Sequence, residues 1–356
     1  MRDRPIDRRE FLHLSAAAGG TLGLAGCSGD QSTENGGSDE SDGSEALTSM
    51  KYTLLSAKFT NPVFFGGKDA GSWSDEGIDL NLSIIGYNRD TRVLTNGEVN
   101  INDVNQPTYL NARNNGEEHV LIAPHEKLVN GVFVQADSDI ESPADLEGKK
   151  VGVPFWESGT TMLTGSMFIE DYDLDLREDV DATAAPPAAL WEGINNGNFD
   201  AVLEFTNFTV QGRASDSLRQ IFNQGKWWEE ETGQVPMITY SAVRRDWIEQ
   251  AENAQLALDF LDGWENAISH FQDNPESVMD RFGRLGGFTT DAQKEVVREL
   301  FTDDALPSPG SWGGDYIENQ FEMFDLIQKH GFTDNIPTPE EGAMSRTRVE
   351  EITSGS

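Results

Sequence analysis

The stretch that decides the fold is "SPADLEGKKVGVPFWESGTT", Ser142 to Thr161. "KVGVPF" (Lys150–Phe155) is a short apolar run of strand type. It breaks into a polar loop and then into "GTTMLTGSMFIEDY", where Leu163/Met167 and Phe168/Tyr172 stand at helical spacing. Ser158 is a natural cap for that helix. Strand, polar loop and helix in this order predict one step of an open α/β sheet. In such sheets ligands lie beyond the carboxyl ends of the strands. The loop is therefore either a plain connection or the rim of a ligand site.

The pattern repeats on both sides. Strand-type runs are expected at Lys51–Ala57, Ile78–Ile85, Val99–Val104, His119–Pro124, Gly131–Ala136, Val180–Ala185, Phe199–Phe205, Ser217–Phe222 and Met237–Val243, with helical segments between several of them. Strand–helix alternation predicts parallel sheets covered by helices. From about Arg244 the pattern is helical only. Ala254, Leu258, Leu261, Trp264, Ile268 and Phe271 form a stripe at helical spacing, expected to pack in the core. "VLTNGEVNINDVNQPTYLNARNNG" (Val93–Gly116) and "LWEGINNGNFDAVLEFTNFTVQG" (Leu190–Gly212) share one order of helix end, glycine turn, short strand, polar loop and helix, as expected for two similar α/β lobes.

The chain carries 62 acidic against 26 basic residues, a formal charge of −36, and the acid is spread along its length. Such a charge opposes compaction at low ionic strength. At molar salt the Debye length falls to about 3 Å and the repulsion is screened. The composition points to a salt-loving organism. It argues against nucleic acid as a partner, since that needs clustered positive charge.

The N-terminus has another character. "MRDRPIDRREFLHLSAAAGGTLGLAGC" places Arg8 and Arg9 before a mildly apolar stretch, Phe11–Gly26. That stretch is too short and too rich in Gly and Ala to span a membrane, which needs roughly 20 apolar residues, and it reads as an export signal. Cys27 is the one cysteine, so an internal disulfide is excluded. The acidic, Gly/Ser-rich segment that follows is expected to be a disordered tether.

Two motifs here carry a resemblance. "DRREFL" resembles a twin-arginine export motif, and "LAGC" (Leu24–Cys27) resembles the lipobox of secreted lipoproteins. The latter implies a signal at 1–26, lipidation of Cys27, and a tether at 27–49 holding the protein to a membrane. In the body, four segments in order resemble the substrate-binding proteins of ABC importers, in the group serving nitrate, sulfonate, taurine and thiamine-precursor uptake. They are "WSDEGIDLNLSIIG", "LTNGEVNINDVNQP", "SPADLEGKKVGVPF" and "APPAALWEGINNGNFDAVLEF".

The resemblance implies a two-lobed periplasmic-binding-protein type II fold. Two α/β lobes are joined by two crossover strands, with a helical C-terminal part. Carried onto this chain, the first lobe is 50–138 plus 243–356 and the second is 139–242, with crossings near Ala136–Ser142 and Tyr240–Val243. The expected partners are a small solute in the inter-lobe cleft and the permease and ATPase subunits of an importer. No cofactor or metal is expected. The cleft loops would supply Thr60 and Asn61, Asn105 and Gln106, Phe155, Trp156, Glu157, Ser158, Gly159, Thr160 and Thr161, and Glu204, Thr206 and Asn207. Gly159, Thr160 and Thr161 would present N–H groups and hydroxyls at a helix N-terminus, and Trp156 an apolar wall. If Glu157 and Glu204 face the cleft, they oppose an anion and favour a nitrogen heterocycle. Arg89 and Arg92 would reverse that balance. Trp227 and Trp228 could form a lid or pack on the surface. The alternative class is an enzyme of thiamine-pyrimidine synthesis on the same fold. It would need a reactive lysine and histidine, and His125 is read here as a satisfied surface residue at a strand end.

Overall fold

The ten strand-type runs all form strands, and their pairing separates them into three sheets of two, three and five strands. The computed structural model describes residues 46–355, without 57, 87–88, 205 and 303–306 and without the side chains of Thr206 and Thr302. The export signal, Cys27 and nearly all of the tether lie outside the described residues.

β1 (Thr48–Leu55) pairs in parallel with β2 (Ile78–Ile85). Beside them β3 (Ile101–Asn105), β10 (Met237–Arg244) and β4 (His119–Lys127) form a three-stranded sheet with β10 in the middle. The Leu55 amide donates to the Asp103 carboxylate at 3.2 Å, tying β1 to β3. The five-stranded sheet of the second lobe runs β7 (Asp181–Ala184), β6 (Lys150–Val153), β8 (Ala201–Glu204), β5 (Gly131–Gln135), β9 (Leu218–Asn223). The sheets are mixed, not purely parallel. β5 and β10, the strands that follow each passage between sheets, run antiparallel to their neighbours.

The helices are α1 (Asn61–Ala70), α2 (Asp90–Thr95), α3 (Gln106–Asn114), α4 (Gly159–Tyr172), α5 (Pro187–Asn195), α6 (Thr206–Arg213) and α7 (Gln224–Thr232). After β10 come α8 (Arg245–Ile248), α9 (Ala251–Asp273), α10 (Pro275–Phe282), α11 (Asp291–Thr302), α12 (Gly314–Lys329), α13 (Pro339–Gly342) and α14 (Arg346–Ser354). None of the described helices is long and apolar enough to cross a membrane. The stripe from Ala254 to Phe271 is buried along α9. Trp264 of α9 stacks on Phe64 of α1 with ring centroids 4.0 Å apart. Each such side chain contributes about 1.5–3 kcal/mol by leaving water.

Sheet membership moves the passages between the sheets. β5 belongs to the five-stranded sheet and all of β10 to the three-stranded one, so the chain crosses at 128–130 and 233–236, not near Ala136–Ser142 and Tyr240–Val243. The two passages touch, for the Leu128 amide donates to the Pro236 carbonyl at 2.9 Å. Gly225 packs against the first passage, where a Cβ would collide with the Leu128 carbonyl. The C-terminal part is not confined to the first lobe. Gln320 of α12 accepts from the Met237 amide at 2.8 Å, Asn319 accepts from the Trp228 indole at 2.8 Å, and His330 meets Glu170 of α4 at 2.6 Å. α12 thus grips the second passage and the second lobe together.

Candidate functional site

A cleft of about 950 Å³ opens where the carboxyl ends of both sheets face each other. One wall carries Ser56 and Lys58 after β1, Arg89 before α2, and the first turns of α3. The other carries Phe155 and Glu157 to Thr160 after β6, Pro186 to Ala188 before α5, and Asn207 and Phe208 in α6. Asn130, Ile238 and Thr239, from the passages and β10, close the back.

Among the described residues five helices, α2 to α6, begin at this cleft. The first N–H groups of a helix have no partner within it, and the terminus attracts negative charge. Asn105 caps α3 by accepting from the Thr108 amide at 3.1 Å, and Ser158 caps α4 by accepting from the Thr161 amide at 3.1 Å. Each cap serves a later N–H, and Gly159 and Thr160, which precede it in α4, line the cleft. α5 starts at Pro186 and Pro187 without a side-chain cap. The two lobes meet here: a Cβ on Gly159 would lie 3.1 Å from Pro107 and 3.4 Å from the Gln106 amide oxygen.

Of the residues read from sequence, the structure brings Asn105, Phe155, Glu157, Ser158, Gly159, Thr160 and Asn207 to the cleft wall. Phe155 is 49 % exposed there. Thr60, Asn61, Gln106, Trp156, Thr161 and Glu204 are not in the wall. Thr60 reaches Glu126 at 3.4 Å, and the Asn61 amide donates to the Leu55 carbonyl at 3.0 Å, so both serve the turn into α1. The Thr161 hydroxyl pairs with Ser158 at 2.9 Å. Trp156 packs on the core beside the cleft and forms no wall of it. The Thr206 side chain lies outside the described residues. Arg92 is exposed away from the cleft.

Glu204 is fully buried, and neither carboxyl oxygen has a partner. Burial pushes its pKa well above the ordinary value, which favours the neutral form over a charge that would oppose an anion. It stands opposite Gly131 in the β5–β8 pair, on the face that carries the Gln220 amide, whose nitrogen is also unpartnered. Trp227 and Trp228 do not cover the cleft. They line a separate groove of about 340 Å³ with Glu170, Asp171 and neighbours of α12.

Beneath the floor lies a charged network that the sequence reading missed. Lys58 is 1 % exposed and donates to both Asp103 oxygens at 2.8 Å and to the Thr239 hydroxyl at 2.7 Å, with Glu126 at 3.4 Å. His125 is not at the surface but fully buried, 2.7 Å from the Ser241 hydroxyl and 3.4 Å from Asp103. Burial pushes Asp103 up, but Lys58 and His125 outweigh it and hold the carboxyl below the usual range. Burial raises Glu126 to about 7 against the pull of Lys58, and it lowers His125. Asp90 is also raised to about 7 by burial. It accepts from the Asn105 side chain at 3.0 Å and from the Thr108 hydroxyl, so it props the start of α3. A lysine and a histidine do share this network. The donor positions of Lys58 are taken by Asp103 and Thr239, which leaves no free amine facing a substrate. A signal for Lys58 existed in its place at the carboxyl end of the first strand, the same rule that located Thr60.

Two facing α/β lobes with a ligand-sized cleft at their strand ends define a periplasmic-binding-protein fold. Residues 62–278 match the family model described as NMT1/THI5 like, and the chain belongs to that family. Curated protein sequences give no match. Among solved structures, the chain is similar to the periplasmic aliphatic sulphonate binding protein SsuA from Escherichia coli. Identity is 14 %, TM-score 0.67, and 82 % of this chain and 91 % of that one are covered. It is similar also to the alkanesulfonate-binding protein SsuA from Xanthomonas axonopodis pv. citri bound to MOPS, at 13 % identity and TM-score 0.65 over 85 % and 99 % of the chains. A Candida albicans gene product described as having the generic periplasmic binding protein structural fold aligns at 14 % identity and TM-score 0.62, over 84 % and 96 %.

Proposed function

We propose that this protein is the solute-binding component of an ABC importer, exported and lipid-anchored at Cys27, and that its cleft takes a small organic oxyanion of the sulfonate class. The observation that carries this reading is the meeting of helix N-termini from both lobes at one cleft. Arg89 adds an exposed cation with no acidic partner among the described residues, and the Lys58 network lies below. Glu204, one of the two acids that tilted the sequence reading to a nitrogen heterocycle, is buried off the wall with its neutral form favoured, and Trp156 is off the wall as well. Glu157 alone remains as an exposed acid at the rim. The sulfonates named for the two SsuA proteins agree with an oxyanion.

The lobes contribute to one site, so a solute that contacts both favours the closed form, which is then offered to the permease. A thermal-shift series in molar KCl tests the class, using alkanesulfonates, taurine, nitrate, bicarbonate, thiamine and its pyrimidine precursors. A bound solute stabilises the fold by about 2.7 kcal/mol at a hundredfold excess over its Kd. We expect shifts from the sulfonates and a weaker one with Arg89→Gln. Shifts from the pyrimidines alone overturn the oxyanion reading. For the anchor, Cys27→Ser should move the protein from the membrane fraction to the medium, and retention on the membrane refutes it.

A further inference from the structure

We propose that Asn81 carries an N-linked oligosaccharide that covers the open edge of the first lobe's sheet. The inference rests on the export reading above and goes beyond it.

The sequence holds two Asn-X-Ser/Thr triplets with X other than Pro, the acceptor pattern for such sugars: Asn81-Leu82-Ser83 and Asn207-Phe208-Thr209. A chain that leaves the cell already folded, as the twin-arginine reading has it, presents only its folded surface to the transferring enzyme. The structure separates the two triplets on that ground. Asn81 and Ser83 lie in β2, and both are exposed. Side chains two apart in a strand share a face, so the amide and the hydroxyl are presented together. Asn207 and Thr209 lie in α6, and residues two apart in a helix do not face each other. Asn207 is 7 % exposed, Thr209 is fully buried, and its hydroxyl donates to the Glu204 carbonyl at 3.1 Å. The second triplet is therefore closed to modification.

The Asn81 nitrogen donates to the Ser49 hydroxyl and to the Asp79 carbonyl, each at 3.2 Å and each on the exposed surface. Contacts of that kind exchange with water at little net cost. In the transfer this nitrogen attacks the anomeric carbon of an oligosaccharide carried on a lipid phosphate. A C–N bond forms, the C–O bond to the phosphate breaks with its electron pair staying on the phosphate, and the amide gives up one proton. One N–H remains and can still donate to Ser49.

A second observation is independent of the triplet. Among the described residues β2 pairs with β1 alone, along all eight positions and without a shift of register. Its outer edge offers unpaired N–H and C=O groups, a template on which another chain can pair. Proteins blunt such edges with lysine, proline or a bulge, and β2 has none of these. Asp79 is its only charge, in a chain of 62 acids. Leu82 and Ile85 are half-buried and Ile84 is exposed. A hydrophilic sugar on Asn81, in the middle of the strand, covers this edge.

The test is peptide mass spectrometry on the full chain recovered from the membrane fraction of its native host. The peptide holding Asn81 should carry a mass increase of whole sugar residues in most molecules, and the peptide holding Asn207 none. Ser83→Ala should abolish the addition and Ser83→Thr should keep it. The bare Ser83→Ala protein should also self-associate more than the unaltered one by light scattering in molar KCl. An unmodified Asn81 on membrane-bound protein overturns the inference and leaves the export reading standing. Sugar that persists in Ser83→Ala lies elsewhere and overturns the assignment, and equal self-association overturns the covering role. A chain found only inside the cell with its signal uncut removes the export reading and this inference together.

Discussion

Replacing Lys58 by methionine should lower the stability of the fold by about 3–5 kcal/mol, the range found when one partner of a buried ion pair is removed. The lysine is 1 % exposed and faces two buried acids, Asp103 and Glu126. Removing it leaves Asp103 without its cation in a site that water does not reach. His125, 3.4 Å away, cannot take over at neutral pH, because burial lowers its pKa. Pairing Lys58→Met with Asp103→Asn removes both charges and should recover much of the loss. Denaturant melts of the two single variants and the double variant in molar KCl give the coupling energy directly. A Lys58→Met loss below about 1 kcal/mol, or additive losses in the double variant, would show that the pair is not what holds β1, β3 and β10 in register.

A second large effect concerns pH. Asp90 and Glu126 have folded pKa values of about 7, against ordinary values of 3.8 and 4.5. Between those values the unfolded chain releases both protons while the folded protein keeps them. The stability they contribute is thus complete below about pH 4 and is lost as pH rises toward 7. Glu204 acts with the same sign. Asp103 acts in the opposite sense at low pH, where its protonation breaks the Lys58 pair. His119, which burial lowers to about 4, and His125, which burial also lowers, act in the opposite sense and gain stability as pH rises from about 4 toward 6.5. The share of Glu126 alone, a loss on the order of 2 kcal/mol between pH 4 and pH 8, is therefore read as the difference between the unaltered protein and Glu126→Gln. Each tenfold difference in proton affinity between the folded and unfolded chain carries about 1.4 kcal/mol, before relaxation and water entry reduce it. Many proteins behave otherwise, because their paired carboxylates are depressed in the folded state. Melts of both proteins from pH 4 to 8.5 at constant molar salt measure that difference, and Glu126→Gln should gain on the unaltered protein as pH rises. A difference between the two proteins that stays constant from pH 4 to pH 8 contradicts the assignment.

What the sequence determined by itself was local. Each strand-type run became a strand with ends displaced by three residues at most, because short runs of apolar residues between turn signals specify strand without reference to partners. The α9 stripe and the Ser158 cap were legible for the same reason. The cleft loops were legible because strand ends in α/β sheets mark ligand sites wherever the strands lie. Only the tertiary structure decided what depends on partners distant in the chain. "GVFVQ" reads alike in either sheet, and its pairing with β8 and β9 is what places the passage at 128–130. Glu204 at a strand end looks like a cleft acid, but Gly131 opposite it gives no partner and burial neutralises it. Lys58, Asp103, Glu126 and His125 are scattered singly along the sequence. They form one network because β1, β3 and β4 converge, and charges attract strongly only where the fold has removed the water between them.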